Sequence, residues 1–582
     1  MSRSPRRARP ARQSRVRERR RLRLLFGIAA VAIAILGLRL GMVQVLDGAR
    51  YAAYATGETD QKVPLPAIRG AIYDRYGHLL ALSVPRVKIV ADDFQVTEPL
   101  REAEQLAPLL HQAVGRLVGE LSRRDGYVVL APDATSALAT RLENHAPAGL
   151  AYLPVSTRVA PDAALFEPLL GGVNTNGTGV AALEEKENAT LAGRPGSEVV
   201  ATSPSGAPIS SAVRHLVPPR QGQGLVLTID ESLQVEVTKD LAAEMRQQHA
   251  HTGVAVVEAV HSGAILAMVD LQRSARGQIV PASQNLAETS VYEPGSVMKI
   301  GTFSYAIKDG VITPRTPVVV PFEKQIGGYF FQDAEYHPTQ VMTASQILAQ
   351  SSNVGTIEIA GRLGMARLHA ADTALGFGRP TGLGWPGASP GIVGPAQSWV
   401  GSYRGSVPIG TGISVTPQQI LDAYVTVANG GVMPTPHLVQ ATVSPTGVQR
   451  LLAVHEHRVL PSWVAHELIP MFEGVVHDGT AACAAVPGYA VGGKTGTSQV
   501  PRSNGLGYVP GAFNATFVGF VPAQAPQLAA VVTLNRPQTI YGGSVGAPVF
   551  AKVMEYALRH YGIPPAGPAV VPVGPCTATS GA

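Results

Sequence analysis

Cysteine is scarce in this chain: Cys483 and Cys576 are the two cysteines among 582 residues. So few cysteines are typical of an exported protein that does not rely on disulfides. Because Cys576 lies in a Pro/Gly-rich tail, we do not expect a stable bridge between the two. No group of His, Cys and carboxylate residues has metal-ligand spacing, and a solvated turn explains His455-Glu456-His457 better than a metal site does. We therefore expect neither a metal nor a cofactor.

Basic residues are not in excess beyond the N-terminus. The formal net charge is +6, but residues 1–23 hold eleven arginines and one glutamate, a net +10 that leaves −4 for the rest of the chain. The rest of the chain thus lacks the basic surplus of a nucleic-acid groove, and no nucleic acid is expected as a partner. We interpret residues 1–23 as a charged cytoplasmic tail, and binding of this tail to nucleic acid or anionic lipid is the alternative.

An apolar run covers residues 24–46 and is interrupted by Arg39 and Gln44. As a helix it spans about 34 Å, enough to cross the hydrocarbon core of a membrane. The preceding arginines favour a cytoplasmic N-terminus, so we expect an uncleaved single-pass anchor in the inner membrane with residues 47–582 outside the cytoplasm. Arg39 can snorkel to the interface or pair with a neighbouring membrane helix.

Three short motifs carry the candidate chemistry: Ser296-Val297-Met298-Lys299, Ser351-Ser352-Asn353 and Lys494-Thr495-Gly496-Thr497. A helix that opens near Ser296 places Lys299 on the same face one turn away. Apolar neighbours lower the pKa of the Lys299 amine, so that it can deprotonate the serine. A nucleophile, a base, a relaying hydroxyl and a cation for an anionic substrate together indicate acyl transfer through a serine ester.

Two alternative interpretations use the same residues. The first is non-catalytic: a surface lysine, a capping serine and a turn. It is disfavoured because two of only nine lysines fall in ordered motifs with Ser-x-Asn between them. The other is a phosphate-binding loop, because residues 488–495 match Gly-x-x-x-x-Gly-Lys-Thr. That loop needs a helix after it, and the prolines and glycines that follow disfavour one, so we expect a β-strand that carries Lys494 beside the serine.

The motifs resemble those of the class B penicillin-binding proteins, which are peptidoglycan D,D-transpeptidases with a pedestal domain ahead of the catalytic domain. The resemblance covers most of the chain and rests on residues 69–81, 227–230, 293–299, 351–355, 493–497 and 517–520. It implies an α+β protein with an N-terminal transmembrane helix, an elongated pedestal and a transpeptidase domain whose antiparallel sheet is flanked by helices. The expected divisions are a tail at 1–23, a membrane helix at 24–46, a dimerisation-type pedestal at 47–224, a transpeptidase domain at 225–561 and a disordered tail at 562–582.

The resemblance also implies a role for each motif residue. Ser296 would attack the penultimate D-alanine carbonyl of a stem peptide, with Lys299 as general base. Ser351 would relay a proton to the leaving amine, and Asn353 would orient Lys299 and the donor peptide. The terminal carboxylate would bind Lys494, Thr495, Gly496 and Thr497, and the backbone N–H groups of Ser296 and Thr497 would form the oxyanion hole.

Within the family, Ser-Ser-Asn-Val-Gly at 351–355 is similar to the division branch, whereas the elongation branch usually carries Asp where this chain has Asn353. The resemblance therefore implies septal cross-linking, with peptidoglycan stem peptides, lipid-linked glycan strands, β-lactams, the membrane, a polytopic glycan polymerase and other division proteins as partners. The alternatives are an elongation-type transpeptidase, a β-lactam hydrolase or sensor with the same three motifs, and a non-enzymatic scaffold.

Overall fold

The computed structural model describes residues 12–50, 60–143, 149–202 and 208–565. These residues form two compact units, each continuous in space but not in sequence. The first comprises the N-terminal part up to Pro66 together with Pro195–Pro219, and the second comprises Ala67–Arg194 and the chain from Arg220 onward. Most of the expected C-terminal tail (residues 566–582) and part of the basic tail (residues 1–11) lie outside the described residues.

The first unit contains the expected apolar N-terminal helix. An α-helix runs over Arg12–Gly41 and continues in a π-helical turn, Met42–Leu46. Its segment Arg19–Val45 is long and apolar enough to cross a membrane, and none of it is buried in the protein. The same unit holds a three-stranded antiparallel sheet with Gly196–Thr202 in the middle, between Asp60–Leu65 and Pro208–Val217.

The second unit begins with a seven-stranded sheet in which strands distant in sequence pair. Ile72–Tyr73 pairs antiparallel with Leu79–Ala91. The remaining strands are Val128–Ala134, Leu150–Val159, Gly224–Leu227, Val439–Val443 and Gln449–Leu451. Gly224–Leu227 pairs with Ile72–Tyr73 on one side and with Val439–Val443 on the other. The chain on both sides of the predicted boundary at residue 224 thus contributes to one sheet.

Short helices and buried ion pairs complete this region. The helices are Pro99–Leu110, Val114–Leu121, Ser136–Glu143, Ala163–Leu170, Ala182–Lys186 and Asn188–Leu191. The buried carboxylate of Glu184 accepts from Arg69 Nε at 2.5 Å and from Arg158 Nε at 2.7 Å. Because one buried carboxylate pairs with two arginines from distant segments, it fixes how those segments pack.

A six-stranded antiparallel sheet, called here the central sheet, forms the core of the second unit beyond residue 250. Its strands in spatial order are Ile279–Pro281, Ala264–Arg273, Thr252–Ala259, Leu528–Asn535, Tyr508–Val521 and Gly492–Pro501. Gly492–Pro501 is therefore an edge strand, called here the Lys494 strand. This confirms the strand expected around Lys494.

Helices cover both faces of the central sheet, as the contacts of two phenylalanines show. Phe517 and Phe520 are three residues apart on one strand, so their side chains point to opposite faces. Phe517 packs on Phe550 at 4.9 Å between ring centroids, and Phe520 packs on Phe472 at 6.3 Å. Gly542–His560, which carries Phe550, thus lies on one face and Ser462–His477, which carries Phe472, on the other.

The remaining elements after residue 230 are further helices and three small strand pairs. The helices are Glu231–Gln247, Leu286–Thr289, Lys299–Lys308, Ala344–Ala349, Asn353–Leu363, Met365–Ala374, Tyr403–Ser406 and Pro417–Ala428. Three small antiparallel pairs are Pro317–Val320 with Gln340–Thr343, Glu323–Ile326 with Tyr329–Gln332, and Val432–Pro434 with Glu456–Arg458.

One expectation about the cysteines is wrong. Cys483, which lies in a short 3₁₀ turn (Ala482–Ala484), is disulfide-bonded. The other cysteine of the chain, Cys576, lies outside the described residues.

Candidate active site

Ser296 lies in a 3₁₀ turn, Gly295–Met298, that leads directly into the helix Lys299–Lys308. The turn fits tightly between the Lys494 strand and the loop around Gly410. Gly295 has φ +60°, and a Cβ on it would lie 2.5 Å from Thr497 O. The Gly295 N–H donates to Gly410 O at 2.9 Å. The glycine before Ser296 therefore allows the serine turn to lie directly against the edge of the central sheet.

Side chains also fix the serine turn from two directions. Tyr424, fully buried, donates its hydroxyl hydrogen bond to Val297 O at 2.9 Å. The buried Glu293 carboxylate accepts from the Gly412 N–H at 2.8 Å and from the Tyr508 hydroxyl at 3.1 Å. Three separate segments thereby hold the backbone on which Ser296 stands.

Lys299 is fully buried, and its amine is the centre of the site. It donates to Ser351 O at 2.5 Å, to Ser351 Oγ at 3.2 Å, to Ser352 O at 3.2 Å and to Asn353 Oδ1 at 3.0 Å. Its hydrogen bonds thus go to the Ser-Ser-Asn segment and not to Ser296. Burial lowers the pKa of Lys299 to about 7, and the Asp333 carboxylate opposes this shift. A substantial fraction of neutral amine is therefore present near neutral pH.

Ser351 connects the two buried lysines. Lys494 is also fully buried, and its Nζ donates to Ser351 Oγ at 2.9 Å. Burial, and then the nearby charge of Lys299, lower the pKa of Lys494 well below its ordinary value. Ser351 has φ +58°, a left-handed conformation that costs about 1 kcal/mol for a non-glycine residue. The hydroxyl is held between the two amines by this unusual backbone.

The Lys494 strand contributes the remaining predicted residues. The Thr495 hydroxyl bonds to the Thr480 hydroxyl at 2.8 Å, so Thr495 is tied to the loop behind the strand. Gly496 is buried, and a Cβ there would lie 2.6 Å from Pro294 O. Thr497, like Ser296, stays partly exposed. The three segments that carry the eight predicted residues, about 200 positions apart at the extremes, therefore pack together at the edge of the central sheet.

The phosphate-binding interpretation of residues 488–495 is wrong. Gly492–Pro501 is a β-strand that pairs along its length with Tyr508–Val521. A phosphate-binding loop needs a helix whose N-terminus follows the Gly-Lys-Thr sequence. Here Lys494 and Thr495 lie inside the strand, so their backbone groups pair with the neighbouring strand.

Sequence reasoning missed Asp333. This buried residue follows the strand Tyr329–Gln332 and accepts the backbone N–H groups of Asn353 and Val354. It also accepts from the Ser352 hydroxyl at 2.7 Å. No pattern near Asp333 indicates this role, because the contact joins segments 20 residues apart through the fold.

Within the described ranges, one cluster outside the cleft brings metal-ligating atoms together: Asp74, His78 and Glu231. Both Asp74 oxygens already accept hydrogen bonds, from the Tyr76 and His78 N–H groups, from His78 Nδ1 and from the Glu231 N–H. Asp74 therefore closes the hairpin turn after Tyr73 and caps the start of the helix Glu231–Gln247.

Comparison with known families gives two matches in sequence order. Residues 64–227 match the penicillin-binding protein dimerisation domain. Residues 253–555 match the penicillin-binding protein transpeptidase domain, which is more than half of the chain. The second match contains all eight predicted site residues.

Individual proteins are similar over nearly the whole length. The probable peptidoglycan D,D-transpeptidase PbpC of Pseudomonas aeruginosa is 30% identical, over 94% of this chain and 97% of its own. The peptidoglycan D,D-transpeptidase FtsI of Escherichia coli K12 is 28% identical, over 94% and 92%. The crystal structure of penicillin-binding protein 3 from Mycobacterium tuberculosis with aztreonam superimposes with a TM-score of 0.68 at 26% identity, over 88% of this chain and all of that one. This chain therefore belongs to the penicillin-binding protein transpeptidase family.

Proposed function

We propose that the protein is a peptidoglycan D,D-transpeptidase that cross-links stem peptides through an acyl-enzyme on Ser296 at the division septum. The observation that carries the proposal is the packing of the Ser296 turn against the Lys494 strand, where the depressed-pKa amine of Lys299 shares the Ser351 hydroxyl with Lys494. Relatives named D,D-transpeptidase and FtsI support the reaction and the septal role.

In the acylation step, neutral Lys299 takes the proton of the Ser296 hydroxyl, and Ser296 Oγ attacks the carbonyl of the penultimate D-alanine. The negative oxygen that forms is held by the backbone N–H groups of Ser296 and Thr497, two segments that Gly295 allows into contact. The proton then passes through Ser351 to the leaving nitrogen, the amide C–N bond breaks, and the terminal D-alanine departs. Ser296 is left as an ester.

The remaining residues bind the donor peptide. Lys494, with Thr495, Gly496 and Thr497, receives the terminal carboxylate of the donor peptide, and Asn353 orients Lys299 and that peptide. An amine of a neighbouring stem peptide then attacks the ester, and Ser296 regains its proton as the cross-link forms. β-Lactams imitate the donor and leave an ester that water removes slowly.

We further propose the membrane arrangement. The apolar helical segment at residues 24–46 anchors the protein in the inner membrane, with the basic tail at 1–23 in the cytoplasm and the region that carries Ser296 in the periplasm. Lipid-linked glycan strands then meet the enzyme at the membrane surface. A polytopic glycan polymerase and other division proteins are the expected partners, with Arg39 as one candidate contact in the membrane.

The experiment that tests the proposal supplies a stem pentapeptide donor and an amine acceptor to the detergent-solubilised protein. We expect release of the terminal D-alanine together with an acceptor-linked product, and neither in Ser296→Ala. Hydrolysed donor without acceptor product would contradict transpeptidation and favour a hydrolase. Normal septation in cells that carry only Ser296→Ala would favour the scaffold alternative, and sidewall rather than midcell localisation of a fluorescent fusion would favour the elongation role.

A further inference from the structure

Asp333 fixes the start of the segment that contacts Lys299. Its Oδ1 accepts the N–H groups of Asn353 at 2.5 Å and Val354 at 3.0 Å, and its Oδ2 accepts from the Ser352 hydroxyl at 2.7 Å. Three consecutive residues therefore depend on one buried carboxylate. Because Ser352 O and Asn353 Oδ1 are in turn acceptors for Lys299, the position of Asp333 determines where the Lys299 amine is held.

A histidine supports Asp333 from the other side. His337 Nε2 lies 3.0 Å from Asp333 Oδ2, and His337 Nδ1 lies 2.8 Å from Pro338 O. Both partners are oxygens that can only accept, since the carboxylate already receives three other hydrogen bonds. A neutral imidazole has one N–H and satisfies one of them, whereas an imidazolium satisfies both. The geometry therefore selects the protonated histidine.

The surroundings of His337 agree with a charged ring. The Pro338 carbonyl and then Asp333 raise the pKa of His337, and partial burial opposes them. Among the residues that the structure describes, Asp333 is the charged group that acts on the imidazole. The Phe322 ring meets it edge-on at 6.0 Å, and the neighbouring Tyr336 is exposed. Asp333 in turn acts on Lys299, whose pKa it raises.

We propose that His337 is a positioning residue for the acyl transfer: as an imidazolium it holds the Asp333 carboxylate, and through Ser352 and Asn353 it keeps the Lys299 amine in place. This inference rests on the proposed function of Ser296. When His337 loses its proton, a lone pair faces either the carboxylate or the Pro338 carbonyl, and the support of Asp333 weakens. Histidine at this position thus couples the geometry of the site to pH.

Two protonation states must coincide for the reaction. The neutral fraction of Lys299 grows as pH rises through about 7. The His337–Asp333 contact has the opposite sign: a group whose folded pKa is raised contributes fully below its ordinary pKa of about 6.5 and is lost as pH rises through the raised value. The acylation rate is therefore expected to rise and then fall with pH, with His337 responsible for the fall.

The test measures the second-order rate constant for acylation by a fluorescent penicillin, from about pH 5.5 to about pH 9.5, in the full-length protein. The variants are His337→Gln, which keeps one N–H donor but cannot titrate, and Asp333→Asn, which keeps the shape without the charge. His457→Gln, on the exposed strand Glu456–Arg458, is the matched histidine control. Thermal unfolding at each pH identifies the folded variants.

We expect His337→Gln and Asp333→Asn to lower the neutral-pH rate about tenfold and to lose the descending limb, while His457→Gln follows the wild type. A folded His337→Gln, or a folded Asp333→Asn if the first does not fold, that keeps the wild-type rate and descending limb would overturn the inference. In that case deprotonation of Lys494 would cause the fall in acylation rate at high pH. Absence of any Ser296 adduct in the wild type would instead overturn the proposed function, so the two failures differ.

Discussion

Lys299 and Lys494 share one acceptor, the hydroxyl of Ser351, at Nζ–Oγ distances of 3.2 and 2.9 Å. Both lysines are fully buried, and burial lowers the pKa of each. Two ammonium groups so close together in a buried site repel each other, so the site favours loss of one proton. In the proposed mechanism, the amine that loses its proton acts as the base.

Lys299 makes the acylation rate depend on pH. We expect the rate to rise as pH passes through about 7, because the amine must be neutral to accept the Ser296 proton. Lys299→Arg should lower the rate by about 10²–10⁴-fold, since a guanidinium stays protonated. Lys308→Arg, at the end of the same helix, is the control and should keep the rate. Stopped-flow acylation measures both, and a wild-type rate in Lys299→Arg would exclude Lys299 as the base.

Two substitutions of Ser351 separate the loss of its hydroxyl from the cost of its backbone conformation. Ser351→Ala and Ser351→Gly both remove the shared hydroxyl, so both should acylate much more slowly than the wild type. Because φ at this position is +58°, the glycine variant should be more stable than the alanine variant by about 1 kcal/mol. Chemical denaturation compares the two stabilities. Equal stability would show that residue 351 is not held in the left-handed conformation.

Gly295 should tolerate no side chain. In Gly295→Ala the new Cβ meets Thr497 O at 2.5 Å in addition to the cost of φ +60°. We expect the serine turn to move away from the Lys494 strand and acylation to fall by at least about a hundredfold, since misplacement by 1 Å can cost that much. Gly277→Ala has φ +79° with nothing within 4 Å, so it should cost about 1 kcal/mol of stability and leave acylation intact. Similar acylation in the two variants would contradict the close contact.

Asp372 should weaken the fold as pH rises. Its buried carboxyl has no hydrogen-bond partner for either oxygen among the described residues, and burial raises its pKa well above the ordinary value. An acid with a raised folded pKa destabilises the protein increasingly as pH climbs above its unfolded value of about 4. Asp372→Asn, which cannot ionise, should therefore stabilise the protein more at about pH 8 than at about pH 5. A stability difference that is the same at both pH values in thermal unfolding would contradict this.

The sequence was sufficient where the chemistry itself dictates a local pattern. Two local features were predicted and are present in the structure. Ser296 and Lys299 lie one turn apart, and Lys494 lies on a β-strand. The meeting of the three distant motif segments was predicted from the family resemblance, which supplied their spatial arrangement. The same local reasoning rejected the phosphate-binding loop, since no helix can start among the glycines and prolines after Thr497.

Tertiary contacts were beyond the sequence. Asp333, Gly410 and Tyr508 act on the site through the packing of loops, and no local pattern marks them. The Cys483 disulfide was missed for a related reason, because local composition says little about which distant groups come into contact.

The most direct test of Ser296 as the nucleophile is peptide mass spectrometry of the protein after treatment with a penicillin. We predict one stable adduct, on the peptide that contains Ser296, and none in Ser296→Ala. An adduct on another residue, or no adduct in a folded wild-type protein, would contradict the assignment of Ser296 as the nucleophile and with it the proposed reaction.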